Sequence, residues 1–474
     1  MPEPRIVIGV DSSTQATKAL AVDADTGAVL AEGRAGHTVS TGAARESDPE
    51  QWWEALCSAL TGTGYADRAL AVAIGGQQHG LVTLDAAGRP VRPALLWNDV
   101  RSAAEAVKLT DELGAQAWAE RAGSVPTAAF TIAKWAWLRG HEPENAARVA
   151  AVRLPHDYLT QRLSGAPVTD RGDASGTGWW TPQGYDKGLL DLVGLDPRLL
   201  PEVAEPGTSV GAVRAGSPLR EGALVGTGTG DNMAAALGLG LEPGVPVVSL
   251  GTSGTAYAVT RGRPADPTGV VAGFADALGG WLPLACTLNC TLAVDWAATL
   301  LGLDREAVEP GGEAVFLPFL DGERTPNLPY ASGLIHGLRH ETTRGQILQA
   351  AYDGAAYSLL TAVDQVLSAG GEDAAPDTPL MLIGGGAQGI AWVETVRRLS
   401  GRPVLVPAAR ELVALGAAAQ AAALIVGEPA DAVARGWGTQ QGRLFDPVSK
   451  DTAAAERIAD TLVRAGQLLA PGER

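Results

Sequence analysis

The sequence predicts an α/β protein made of two duplicated mixed domains that face a central cleft, and two observations carry this expectation. An apolar strand running into a turn of small residues occurs at residues 5–14 and again at 246–254, and each copy is followed by helical periodicities. The 474 residues also exceed what a single hydrophobic core usually supports.

From Arg5 the chain reads as a strand ending at Asp11, a turn of Ser12, Ser13 and Thr14, and two further strands near residues 19–22 and 29–32. Asp48 is placed to cap a helix whose first turn holds Pro49. Gln51 can reach back to the cap, and Trp52, Leu56 and Leu60 recur at helical spacing. Gly238, Gly240, Pro243 and Gly244 punctuate the chain, so the boundary falls between domains 1–240 and 241–474. In the second half the strand at 246–250 meets Gly251, Thr252, Ser253 and Gly254. Thr343 and Gln346 form a capping box for a helix with an apolar stripe of Ile347, Ala351, Ala355, Leu359 and Val363, stopped by Gly370 and Gly371. A strand at 380–383 then runs into Gly384, Gly385 and Gly386, with a helix expected from about Gln388.

Composition removes several classes of function. Thirty-six Lys and Arg against 53 Asp and Glu give a net charge of −17, which repels nucleic acid and anionic lipid. A site for a phosphorylated cosubstrate must then draw its positive potential from backbone N–H groups, a few cations and a metal ion. Cys57, Cys286 and Cys290 are too few for a disulfide framework and read as small hydrophobes. The apolar stretch at 6–10 is only a strand's length, and no segment is long enough to span a bilayer, so the expected location is the cytoplasm.

The candidate residues each have a plain structural alternative. Asp11 at a strand end could hold magnesium, or simply cap its turn. Asp231, in Thr229-Gly230-Asp231-Asn232, could take a proton from an acceptor hydroxyl, while an Asp-Asn pair is also an ordinary turn. Gln77, Gln78 and His79 stand between glycines after an apolar strand and suit a polyhydroxylated ligand, although a histidine can equally serve a buried backbone group. Trp97 offers an aromatic face or belongs to the core, and Asp99 could pair with Arg101. Gly384 to Gly386 could receive phosphate at a helix start or form a plain strand-to-helix turn. Neither small-residue turn has the spacing of a Walker phosphate loop.

In their shared order these pieces resemble the FGGY carbohydrate kinases over nearly the whole chain, and among them the xylulose kinases. The resemblance runs through the Asp11 turn, Asp48 to Trp53, Gln77 to His79, Leu96 to Asp99, Asp157-Tyr158-Leu159, Gly230 to Asn232, Ser249 to Gly254, Gly322 to Pro326, Gly333 to Asp353 and Ile383 to Ala387. It implies two actin-like (ribonuclease-H-like) ATPase domains closing on a cleft, with ATP and Mg2+ used to phosphorylate D-xylulose. It further implies Asp231 as general base and Gln78, His79, Trp97 and Asn232 at the sugar. Asp11, Thr14 and Lys18 would lie by the phosphates and magnesium, with Gly251, Thr252, Gly385 and Gly386 along the nucleotide. Gluconate, ribulose or another ketose is an alternative acceptor, and an actin-like ATP-binding switch is the alternative from another class. Relatives are commonly dimers, which allows a homodimer. Three departures stand out: Ser13 where the family usually has Gly, Gln78 where xylulose kinases commonly have Met, and an N-terminal signature matched at Thr131, Lys134 and Trp137 but not at Ala129 or Gly140.

Overall fold

The computed structural model describes residues 3–469. Its first sheet has seven strands, and the main path runs 29–36, 16–23, 6–12, 71–76, 224–226 and 209–212 from edge to edge, with Thr229–Gly230 also pairing on Ala71–Gly76. The first three form an antiparallel meander, after which Ala71–Gly76 and Leu224–Gly226 are added in parallel. The second sheet repeats this order, with Trp281–Thr287, Gly254–Tyr257 and Val247–Leu250 as the meander and Leu380–Ile383 and Val404–Pro407 added in parallel. Ala272–Ala275 and Gly442–Phe445 close its two edges. The duplicated strand-and-turn pattern is thus the first strand and first turn of two equivalent sheets.

Alternation along the first strand explains how each sheet is covered. Ile6, Ile8 and Val10 join a core with Trp52, Leu56 and Leu60 of the helix Pro49–Thr63, while Val7 faces the opposite layer. That opposite layer is the helix Leu412–Val426, which crosses back from the second half of the chain. Gly9 makes room for it, since a Cβ there would stand 1.9 Å from the Ala414 carbonyl oxygen. Ten residues in this helix are buried, most of them alanine, which lets it lie close on the sheet and against the helix Asp231–Gly238. At that crossing a Cβ on Gly416 would be 1.9 Å from the Ala234 oxygen, and one on Gly238 would be 2.1 Å from the Leu412 oxygen. The indole of Trp437 fastens the end of this excursion by donating to the Ala24 carbonyl at 3.1 Å.

The Asp48 cap and the Thr343–Gln346 capping box form as expected, the latter opening the helix Arg344–Ala369. Gln51 does something else: its side-chain oxygen accepts from the N–H and hydroxyl of Thr38. The turn after Leu380–Ile383 is one short 3-10 segment, Gly385–Gln388, before the helix Ile390–Ser400 begins. Among the described residues no single helix is long and apolar enough to cross a membrane. The pair Leu412–Val426 and Ala430–Gly436 passes by length and composition together, bent by 106°, but its first member is the buried cover of the first sheet.

Candidate active site

Both first strands reach one cleft of about 520 Å³ through Asp11 and Ser249, while Thr14, Lys18, Gln78, His79, Trp97, Gly251, Thr252 and Gly386 stand outside its lining. Asp11, Asp231 and Asn232 line it from the first half, Ser249 and Tyr257 from the second sheet, and Gly384, Gly385 and Gln388 from the turn after Leu380–Ile383. Asp11 lies on the same strand face as Val7 and Gly9, so alternation carries it to the cleft end of the layer that holds the helix Leu412–Val426.

Asp231 is the first residue of the helix Asp231–Gly238. The preceding Thr229 and Gly230 pair in parallel with Gly75 and Gly76, and this fixes the turn beside the loop that carries Gln78 and His79. One carboxylate oxygen, Oδ1, accepts from the Asn232 backbone N–H at 2.8 Å and from Asn232 Nδ2 at 3.0 Å. Burial, with the charge of Asp11 added, pushes the Asp231 carboxyl up to about 7. A carboxylate tuned to that range is an effective proton acceptor near neutral pH.

Asn232 also donates from Nδ2 to Gln78 Oε1 at 2.8 Å, which leaves Gln78 Nε2 buried without a partner. His79 adopts a left-handed backbone, φ 66. Its ring clusters with Phe130 and Phe274, with centroids at 5.1 and 5.4 Å. Nδ1 donates to the Gly176 carbonyl at 2.8 Å, which assigns Nε2 as the bare acceptor. Burial, helped by the Lys134 charge, pushes the His79 imidazole down to about 3, so it is neutral at physiological pH. The sugar-type cluster therefore presents one amide donor and one imidazole acceptor, alternating as a polyol does.

The Trp97 indole donates to Thr14 Oγ1 at 3.1 Å, which joins the aromatic face to the first phosphate-type turn. Asp99 pairs with Arg101 and accepts from the Arg45 N–H at 3.0 Å, the structural alternative. Lys18 forms an ion pair with Glu411, so its charge is shared with a carboxylate at the cleft wall. Gly251 and Thr252 form the tip of the second-sheet turn, where the Gly251 carbonyl accepts from the Thr291 hydroxyl at 2.8 Å. Gly385 lines the cleft, whereas Gly386 is buried, and a Cβ on it would stand 2.7 Å from Leu250 Cβ. Of the three glycines, Gly384 needs the residue type most clearly: its φ is 86, and a Cβ there would meet the Leu250 carbonyl oxygen at 2.8 Å.

The sequence reading missed the wall made by Val406, Pro407 and the segment 409–413. The signal was present: a strand at Val404–Pro407 is followed by a short turn and a helix, the same strand-to-helix grammar that marked Gly384 to Gly386. Without glycines the turn did not stand out, although Glu411 takes a left-handed conformation, φ 53.

A magnesium ion fits this chemistry in a limited way. Asp11 is a buried carboxylate, its pKa raised by burial, with one oxygen accepting from the Ser13 hydroxyl at 2.7 Å. It adds to the pKa of Asp231 by repulsion. One protein carboxylate completed by phosphate and water oxygens is how magnesium is commonly held. Among the described residues no cluster of three or more His, Cys, Asp or Glu side chains is arranged as an all-protein metal cage.

Comparison with known proteins accords with this geometry. The profiles for the N-terminal and C-terminal domains of the FGGY family of carbohydrate kinases match residues 6–238 and 247–425. A xylulose kinase of Streptomyces coelicolor is 67% identical over 473 residues, covering 98% of each chain. One from Streptomyces rubiginosus is 65% identical over 476 residues, covering 99% of this chain and 98% of the other. The crystal structure of a xylulose kinase from Bifidobacterium adolescentis superposes with a TM-score of 0.84 at 34% identity, over 97% of this chain and 99% of that one.

Proposed function

The chain belongs to the FGGY family of carbohydrate kinases, and from that premise we propose that it moves the γ-phosphoryl group of ATP onto the 5-hydroxyl of D-xylulose in the cytoplasm. The observation that carries the proposal is the convergence of Asp231, with its pKa raised to about 7, and Asn232, itself hydrogen-bonded to Gln78, in the same cleft as the Gly384–Gly385 turn. The xylulose kinases at 65–67% identity support the choice of acceptor.

In this reading the lobes are residues 1–240 and 241–474 along the chain, with the helix Leu412–Val426 lent back to the first. The sugar sits against Gln78 Nε2, His79 Nε2, Asn232 and the Trp97 face. The triphosphate lies between the Asp11–Thr14 turn and the Gly251–Thr252 turn, and the nucleotide follows Gly384 and Gly385, with Gly386 packed behind them. Asp231 takes the proton from the acceptor hydroxyl as that oxygen approaches phosphorus in line. Backbone N–H groups of the two turns receive the phosphate oxygens, and Lys18 supplies charge once Glu411 releases it. Asp11 would hold magnesium, which when bound neutralises phosphate charge. Positioning and charge neutralisation supply most of the acceleration in such a transfer.

Gln78 bears on the acceptor. Its Nε2 is a buried donor lacking a partner, so a ligand oxygen satisfies it, and a ligand without one there leaves it unpaired at a cost of roughly 1–3 kcal/mol. A coupled ADP-release assay across D-xylulose, D-ribulose, L-ribulose, glycerol and D-gluconate tests the reading. D-xylulose is expected to give the highest kcat/KM, and a clear preference for another acceptor would overturn the assignment.

A further inference from the structure

Behind the cleft, on the buried side of the Gly228–Asp231 turn, four ionisable side chains occupy one water-excluded place. His156, Asp157, Asp170 and Asp173 are 0, 0, 4 and 0% exposed. His156 Nε2 lies 3.2 Å from Asp170 Oδ1, 3.3 Å from Asp157 Oδ1 and 3.5 Å from Asp173 Oδ2. Asp170 is tied down by its own helix, where its two oxygens accept from the N–H groups of Gly172 and Asp173 at 2.8 and 3.0 Å. Its Oδ2 also accepts from the Thr229 hydroxyl at 2.6 Å. Thr229 stands two residues before Asp231.

His156 packs against both turns that carry the chemistry, with its ring at Gly228 and its Cβ and backbone at Gly76. A Cβ on Gly228 would be 3.1 Å from His156 Nδ1, and one on Gly76 would be 2.9 Å from His156 Cβ. Gly228 leads into Asp231 and Gly76 leads into Gln78 and His79. Burial works against charge on His156, but the carboxylates of Asp157, Asp170 and Asp173 outweigh it and hold the imidazole pKa up at about 9, so the ring is a cation at neutral pH. A buried ionic cluster is a poor source of net stability, and its better-attested use is to specify one arrangement among several.

Resting on the reading of Asp231 as the base, we propose that His156 and Asp170, acting through the Thr229 hydroxyl, are positioning residues that fix the Gly228–Asp231 turn against the Gln78–His79 loop and thereby aim the Asp231 carboxylate at the acceptor oxygen. A carboxylate left free to swing by an ångström loses catalytic efficiency far out of proportion to any loss of binding.

The test compares Thr229→Val, which keeps the shape and deletes the hydroxyl, with Thr229→Ser, which restores it, each assayed on the acceptor that the wild-type chain uses best. Thr229→Val is expected to lower kcat by about tenfold or more while the KM values for ATP and sugar change by less than about threefold, and Thr229→Ser to recover most of kcat. A purely structural role would lower the melting temperature and leave kcat of the folded fraction unchanged, and that result overturns the proposal. So does a Thr229→Ser variant as slow as Thr229→Val. Should Thr229→Val not fold, Asp170→Asn carries the test, since it keeps an oxygen for Thr229 but removes the acceptor that faces His156 and the Asp173 N–H; a wild-type kcat there overturns the proposal. Wild-type turnover across the acceptor panel judges the family reading separately from these ratios.

Discussion

The environment of Asp231 bears both on its proposed role as base and on the stability of the fold. Its pKa rises from 3.8 to about 7 through burial and the neighbouring Asp11 charge, so the folded state retains the proton to higher pH than the unfolded chain does. That extra proton affinity stabilises the fold at acid pH, and the contribution is lost as pH climbs through about 7. Two outcomes are expected. Turnover should fall on the acid side with a midpoint near 7, read from kcat/KM against pH. Asp231→Asn should be nearly inactive yet melt higher than wild type at pH 8, with the gain shrinking at pH 5, measured by scanning calorimetry. Gln78→Met tests the acceptor side: removing the orphan donor should change the ranking of acceptors in the panel by about five- to tenfold while ATP KM stays constant.

Elements position these side chains through close backbone contacts that only small residues allow. The helices Asp231–Gly238 and Leu412–Val426 cross at Gly238 and Gly416, so the helix that begins with Asp231 leans on the one that follows the cleft wall at Glu411. Gly416→Val should overpack this crossing and cost about 1–3 kcal/mol, seen as a lower melting temperature together with a reduced kcat. Element by element, the sequence is readable where local chemistry is decisive. The Asp48 cap, the Thr343–Gln346 capping box and the strand at Leu380–Ile383 follow from residues within a few positions of one another. Gln51 departs from its expected role because its partner, Thr38, lies 13 residues away. The return of the helix Leu412–Val426 to the first sheet is not legible either, since an alanine-rich helix buried all round carries no amphipathic stripe to say which sheet it covers. The His156 cluster is hidden for a related reason: its members are brought together by helices 155–164 and 171–175, not by spacing along the chain.

At the scale of the whole molecule, two sheets of the same topology meet along two seams. One is the helix Leu412–Val426. The other joins the edge strand Ala272–Ala275 to the first half, where Ala275 N–H donates to the Ser175 hydroxyl at 2.9 Å, Gly273 N–H donates to Ser124 Oγ at 2.9 Å, and Arg171 pairs with Asp276 at 2.9 Å. Arg171→Met would remove the cation beside the buried Asp276 carboxylate, which keeps the N–H groups of Leu278 and Gly280, and is expected to destabilise the chain by about 1–3 kcal/mol in urea titration. Between these seams lies the cleft, and the strands that first marked the fold in the sequence reach it through Asp11 and Ser249. The central claim is that the carboxylate of Asp231 activates a sugar hydroxyl facing bound ATP across this cleft. Steady-state turnover of Asp231→Ala with ATP and D-xylulose tests it most directly. The account predicts a kcat lowered by about a hundredfold or more with ADP binding preserved, and turnover close to that of the wild-type chain would contradict it.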